Sequence, residues 1–294
     1  LICPPFGWDD TCSYRSRRDW AADLADAGFP TLRIDFPGTG DSGGSPRDPA
    51  RLSAWTAAAD SAARHLRRKT GAERVAAIGI GLGGLVACRA ISEDAPIDEL
   101  VLWGVPSRGR ALIRELSVFA GLEDSALGPV ADKDLPPPPL PDGYVWAGGF
   151  VLNAETVGEL ERLDVAALRF PHGRLRRALL LDRDGISVDE RLRSHLQESD
   201  VTVDVASGEG YGAMMAKPHH ARSPVAVFAR VRSWLEQTPV ASAQGESAEA
   251  NLDSSDLSGR HDSVELTIGD ATVREAPVTV KQPFGELFGI LAEP

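Results

Sequence analysis

The stretch Val75-Ala76-Ala77-Ile78-Gly79-Ile80-Gly81-Leu82-Gly83-Gly84 constrains this chain most. An apolar run of the length of one buried strand enters, without a spacer, a turn built almost wholly of glycine. Glycine supplies positive φ and lets other backbone approach where a Cβ would collide, so the chain must reverse sharply here against something close. The small residues from Leu82 to Ile91 then read as a helix. Strand, tight turn and helix make an α/β unit, and the pattern recurs. Strands are expected at Thr31 to Asp35, Leu100 to Trp103, Ala178 to Leu181 and Val201 to Val205. Helices are expected at Arg17 to Ala27, Leu52 to Lys69, Val188 to Glu198 and Pro224 to Glu236. This alternation predicts an α/β fold, a mostly parallel central sheet with helices on both faces.

Two motif templates fit the glycine turn. In a G-x-S-x-G elbow a serine sits on a strained strand-to-helix turn; here Gly79 and Gly83 hold the flanking places and Gly81 holds the serine's. Acyl transfer to a serine at that turn is therefore not available. Gly79, Gly81 and Gly84 also satisfy G-x-G-x-x-G, which predicts an acid at the end of the next strand. Asp98 and Glu99 lie at the beginning of that strand, and Gly104-Val105-Pro106 follows its end, so a nicotinamide-dependent oxidoreductase stays as an alternative lacking its acid. A glycine turn with no ligand accounts for the same letters.

Of the 294 residues 43% are apolar, enough for a sizeable core. Acidic residues outnumber basic ones 43 to 31, and the resulting net charge of −12 opposes a phosphate-backbone partner, so no nucleic-acid binding is expected. Cys3, Cys12 and Cys88 show neither C-x-x-C nor Cys/His zinc spacing, which predicts reduced thiols, no metal and no disulfide framework. No apolar run reaches membrane-spanning length, and a cytoplasmic protein without membrane contact is expected. Leu1-Ile2-Cys3 reads as the last part of a strand cut mid-element, as in a fragment.

The main unit is expected over residues 1–237. Within it, residues 108–163 break the alternation, with a helix at Ala111 to Phe119, the proline run Pro136 to Pro139 and Gly148-Gly149, and read as a cap insertion above the sheet. Thr238 to Asp262, acidic and rich in Ser, Ala and Gly, reads as a flexible linker. Residues 263–294 alternate as strands at Ser263 to Ile268, Thr272 to Lys281 and Glu286 to Leu291.

Pro5-Phe6-Gly7 after a first strand, Asp35 to Gly43 after the second, the Gly79 to Gly84 elbow, an acid after a late strand and a histidine after the last occur in order. In that order the chain resembles the α/β-hydrolase superfamily, in its serine-peptidase-like and esterase-like branch with a helical cap. The resemblance implies an oxyanion hole from the amide of Leu82 and one of Phe6 or Gly7, an acid at Asp184 with Asp182 as alternative, and a histidine at His219 with His220 as alternative. Gly81 is then a degenerate nucleophile position, and no cofactor is implied. The remaining histidines lie in poorer places: His65 on a basic helix face, His172 in a turn, His195 on a surface helix and His261 in the linker. The last strands resemble the antiparallel pair that opens such a sheet. They either begin a second hydrolase domain of a tandem protein, the favoured reading, or return to complete the first sheet, across a linker spanning about 25–30 Å as a coil.

Three functions follow as expectations. The first is a degenerate hydrolase that binds a small acyl, ester or peptide-like ligand or scaffolds a second hydrolase domain or dimer partner. Loss of a triad serine costs about a millionfold in rate. The second is a slow esterase in which His219 and Asp184 activate water, worth about a hundred- to ten-thousandfold. The third is the nicotinamide enzyme. Trp146, Phe150 and the segment around Leu122 are expected to shape the pocket.

Overall fold

The computed structural model describes residues 1–127, 141–237, 263–268 and 271–294. Pro136 to Pro139, the linker and His261 lie outside the described residues, as does the side chain of Leu122. In chain order the elements are β1 (Ile2–Cys3), α1 (Trp8–Asp26), β2 (Thr31–Ile34), α2 (Arg51–Thr70), β3 (Ala76–Ile80), α3 (Leu82–Ser92), β4 (Glu99–Trp103) and α4 (Gly109–Leu127). There follow β5 (Val145–Ala147), β6 (Phe150–Leu152), α5 (Ala154–Arg162), β7 (Arg177–Leu181), α6 (Glu190–Glu198), β8 (Thr202–Ala206), α7 (Tyr211–Met214), α8 (Val225–Glu236), β9 (Val264–Ile268), β10 (Ala271–Gln282) and β11 (Gly285–Glu293).

One sheet runs in the order β8-β7-β4-β3-β1-β2-β11-β10-β9. The strands from β8 to β2 are parallel, and β11, β10 and β9 continue antiparallel. Side chains on the central strands alternate between two apolar layers, as the pleat requires. Leu100, Leu102, Ala178 and Leu180 face the layer holding Trp55 of α2, Leu85 of α3 and Leu192 of α6. Val101, Trp103, Leu179 and Leu181 face the layer holding Trp20 of α1 and Phe228 and Trp234 of α8. Trp20 is fully buried, stacked on Phe228 at 4.8 Å and edge-on to Trp103 at 6.0 Å. α1 starts at Trp8, well ahead of the expected Arg17. Its first turn carries Asp9, Asp10 and Thr11, which hide the apolar period.

The C-terminal strands belong to this sheet and form no separate unit. Ile290 pairs with Arg33 and Leu291 with Leu32, the arrangement in which these strands complete the first sheet. The physical reason is the β2 edge: Leu287, Leu291 and Ala292 bury almost completely against the sheet's two layers. A charge pair adds to the join. Arg33 on β2 reaches past β11 to Glu275 on β10 at 2.9 Å, with side chains only 6% and 11% exposed.

Between β4 and β7 the chain inserts α4, the β5–β6 hairpin and α5. Arg51 at the start of α2 donates to the carbonyl of Val151 in β6, and Asn153 donates to the carbonyl of Asp48, so the hairpin is tied to the loop after β2. Among the described residues no helix is long and apolar enough to cross a membrane. Cys3, Cys12 and Cys88 are buried free thiols.

Candidate active site

In a parallel sheet whose strand order reverses, the carboxyl ends on either side of the reversal leave a crevice. Here β1 is followed by β2 on one side and β3 on the other. The loops leaving β1 and β3 are Pro4 to Gly7 and the turn at Gly81. Gly81 has φ 51° and ψ −118°, and Gly7 has φ 72°, each directly preceding a helix. The amide of Gly81 is fastened to the carbonyl of Trp103 at 3.0 Å.

The neighbouring glycines are required by what lies against them. A Cβ on Gly83 would stand 2.2 Å from the carbonyl oxygen of Cys3, and one on Gly79 would stand 2.4 Å from Cα of Gly84. At Gly81 there is room: the nearest atoms to a Cβ would be Pro5 Cβ at 3.7 Å and the Tyr211 hydroxyl at 3.9 Å. The geometry is that of an elbow whose crest lacks a side chain. Leu82 opens α3, so its amide is among the helix's unpaired first-turn donors. Phe6 and Gly7 are buried in the adjacent loop, with the Phe6 ring against Trp55 and Phe150. Trp146, by contrast, is half exposed.

Asp184 and His219 are not brought together. Both oxygens of Asp184 are occupied by backbone donors: Gly210 at 2.5 Å and Tyr211 at 3.2 Å on one, Gly212 at 2.6 Å on the other. Burial opposes ionisation of Asp184, but the amides of Gly212, Gly210 and Tyr211, with Arg183 beside them, outweigh it and hold its pKa below the usual carboxylate value. The carboxylate thus caps the short helix α7. His219 is exposed, with its ring 4.1 Å from that of His220. Among the described residues no hydrogen bond joins either histidine ring to Asp184. Asp182 serves the same loop, accepting from Gly208 N and, through its carbonyl, from Trp103 Nε1. The dinucleotide acids are committed at the opposite end of β4. Asp98 binds Arg67 and the amide of Val75, and Glu99 binds Arg74 and Arg177.

The group facing the crest is Tyr211, which sequence reasoning passed over. Its ring packs edge-on to Trp103 at 5.3 Å, and a Cβ on Gly104 would press on it at 2.8 Å. Burial, then Asp9, raises the pKa of this phenol against the opposing charge and hydrogen bond of Arg183, so it stays protonated, its oxygen accepting from the guanidinium. The available signal was a lone tyrosine between Gly210 and Gly212 directly after the last parallel strand. Asp9, Arg183 and Glu115 complete the cluster. The Arg183 guanidinium lies 5.3 Å from the Tyr211 ring centre and bonds Glu115 on α4 at 3.3 Å.

Burial pushes the Asp9 carboxyl up from 3.8 to about 6; Arg183 opposes this, while Glu115 and Asp10 add to it. For an acid whose folded pKa is raised, the contribution to stability is complete below the unfolded value and lost as pH rises through the folded one. Asp9→Asn is therefore expected to raise the unfolding free energy at pH 8 by about 2 kcal/mol and leave it nearly unchanged at pH 3.5. Urea unfolding at both values checks this, and an equal gain at both contradicts it.

The comparisons with known proteins agree with this architecture. A family model described as serine aminopeptidase, S33 matches residues 12–126. The esterase Est1E from Butyrivibrio proteoclasticus, solved with ferulic acid, superimposes with a TM-score of 0.50 at 18% identity, covering 76% of this chain and 82% of that one. DcsB, solved with a substrate analogue, gives 0.51 at 15% identity, covering 80% of this chain and 88% of that one. A search of curated proteins gives no match. At these identities the structural likeness speaks to fold alone, and with the sheet order and the elbow at Gly81 it shows that this chain has the α/β-hydrolase fold, with residues 12–126 similar to the serine aminopeptidase, S33 family.

Proposed function

We propose that this protein is a hydrolase-fold binding domain that holds a small acyl, ester or peptide-like ligand at the carboxyl end of its sheet and does not turn it over by acyl transfer. The observation that carries the reading is the crest itself: Gly81 offers no nucleophile, and the hydroxyl facing it belongs to a tyrosine that stays protonated. Two further features support it. Asp184 is spent on three backbone amides, and His219 stands in solvent with no acid bonded to it among the described residues. An unoriented imidazole is a poor base, because the acid in a triad fixes its tautomer and stabilises its cation. On this reading the insertion between β4 and β7 serves as a cap, and Leu82, Phe6 and Gly7 supply amides to a ligand carbonyl.

Hydrolysis of 4-nitrophenyl butyrate tests the proposal. Release of nitrophenol is expected to stay at the level given by an unrelated protein of similar size, and His219→Ala is expected to change nothing. Saturable turnover abolished by His219→Ala would replace the proposal with the slow esterase.

A further inference from the structure

We propose that the cavity beside the crest binds a small monocarboxylate with an apolar body, its carboxylate taken by Arg183 in place of Glu115. This rests on the reading above that the carboxyl end of the sheet binds a ligand, and it names the ligand's class. The cavity, about 240 Å³, lies between the carboxyl ends of β4 and β7. Leu102, Val105, Leu180, Val188 and Leu192 form an apolar wall, Arg183 and Glu115 line the cavity as well, and so do Ser187 and Asp189, whose carboxylate is taken up by the amides of Ser107, Arg191 and Leu192. Gly104 separates it from Tyr211.

The pair formed by Arg183 and Glu115 shows what this cavity accepts. Nη1 and Nη2 each donate to one carboxylate oxygen at 3.3 Å, a two-point fork of the kind guanidinium makes with carboxylates. Such bonds are usually about 2.7–2.9 Å, so the fork is loose. Glu115 is 58% exposed, and an ion pair this open is worth at most about 1 kcal/mol. Glu115 can therefore swing into water while the guanidinium, resting over the Tyr211 ring, keeps its place. An incoming carboxylate then restores the same fork with an apolar body behind it.

Charge and volume narrow the class. Asp9 and Glu115 flank Arg183, so a second negative charge on the ligand would face two carboxylates with one cation between them. A dianion is disfavoured and a monoanion fits. A cavity of this size suits a short aliphatic body, for which octanoate is the probe. Burying that body supplies the affinity, at about 0.8 kcal/mol for each methylene.

Calorimetric titration of the full chain with sodium octanoate, and with octanamide as its uncharged counterpart, tests the proposal at pH 7. Octanoate is expected to bind about tenfold more tightly than octanamide. Arg183→Gln, with its thermal midpoint confirming that it folds, is expected to erase that preference and leave octanamide binding unchanged. Glu115→Gln is expected to tighten octanoate binding severalfold, because the internal competitor is gone. Equal affinity for the two compounds, an Arg183→Gln variant with its preference intact, or no saturable octanoate binding overturns the proposal. Should Arg183→Gln fail to fold, Glu115→Gln decides, since unchanged or weaker binding there overturns it equally. Ester turnover by the unmodified protein would sink the binding-domain reading while the titration still reports on the cavity, so the two failures are distinguishable.

Discussion

Gly83→Ala is expected to prevent folding, and Gly79→Ala to do nearly the same. The new methyl on residue 83 would lie 2.2 Å from the carbonyl oxygen of Cys3 and 2.5 Å from that of Pro4, and the one on residue 79 would lie 2.4 Å from Cα of Gly84. These obstacles are backbone atoms of β1 and α3, and none can rotate aside. Relief requires moving α3 away from the strands it covers, which exposes Leu82, Leu85 and Val86, each buried to within 1%. A loss above about 4 kcal/mol falls in the exceptional class of point mutations and approaches the whole stability of a domain at about 5–15 kcal/mol. Gly81→Ala is the internal control. No atom beyond its chain neighbours lies within 3.5 Å of its Cβ position, so only the backbone conformation is penalised, at about 1–3 kcal/mol. Soluble yield and urea midpoints should rank Gly81→Ala far above the other two, and equal losses at all three positions would contradict the packing described.

Glu275→Ala is expected to lower the unfolding free energy by about 3–5 kcal/mol, because it leaves the guanidinium of Arg33 buried without its counter-charge. Among the described residues Arg33 Nε has no hydrogen-bond partner, and no second carboxylate is bonded to this side chain to take over. The paired substitution Arg33→Met with Glu275→Leu is expected to recover most of the loss, since buried ion pairs exchange for apolar groups at little net cost. Urea unfolding of the single and double variants gives the coupling directly. A loss below about 1 kcal/mol on Glu275→Ala, as for an exposed pair, would show that β10 is not held to β2 in this way.

Much of the fold was legible because the central parallel strands β3, β4 and β7 are apolar runs buried on both sides and glycine or proline follows close behind them, as at Leu100 to Pro106. The start of α1 was not, since Asp9, Asp10 and Thr11 interrupt the helical period, Asp9 lying in the cluster around Tyr211 and Asp10 pairing with Arg17. Pairing of β11 with β2 was open because strand partners far apart in sequence leave no local mark, and the linker's reach permitted both arrangements. The turn at Gly81 was readable from backbone requirements alone. What faces it was not. A histidine and an acid at the expected stations, His219 and Asp184, matched a pattern of residue types, whereas the structure gives the acid to three amides and the crest to Tyr211. Side-chain direction in a loop depends on its capping bonds, and those connect residues far apart in the chain.

The most direct test of the central claim is to restore the missing hydroxyl. The crest has room for a serine side chain, so Gly81→Ser should fold. Mixed with 4-nitrophenyl acetate, it is expected to give neither a burst of nitrophenol nor steady turnover, because among the described residues no imidazole lies within 4 Å of the Cβ position to take the proton from that hydroxyl. A stoichiometric burst followed by turnover that is lost on His219→Ala would show that a working triad was assembled there, and would contradict the account.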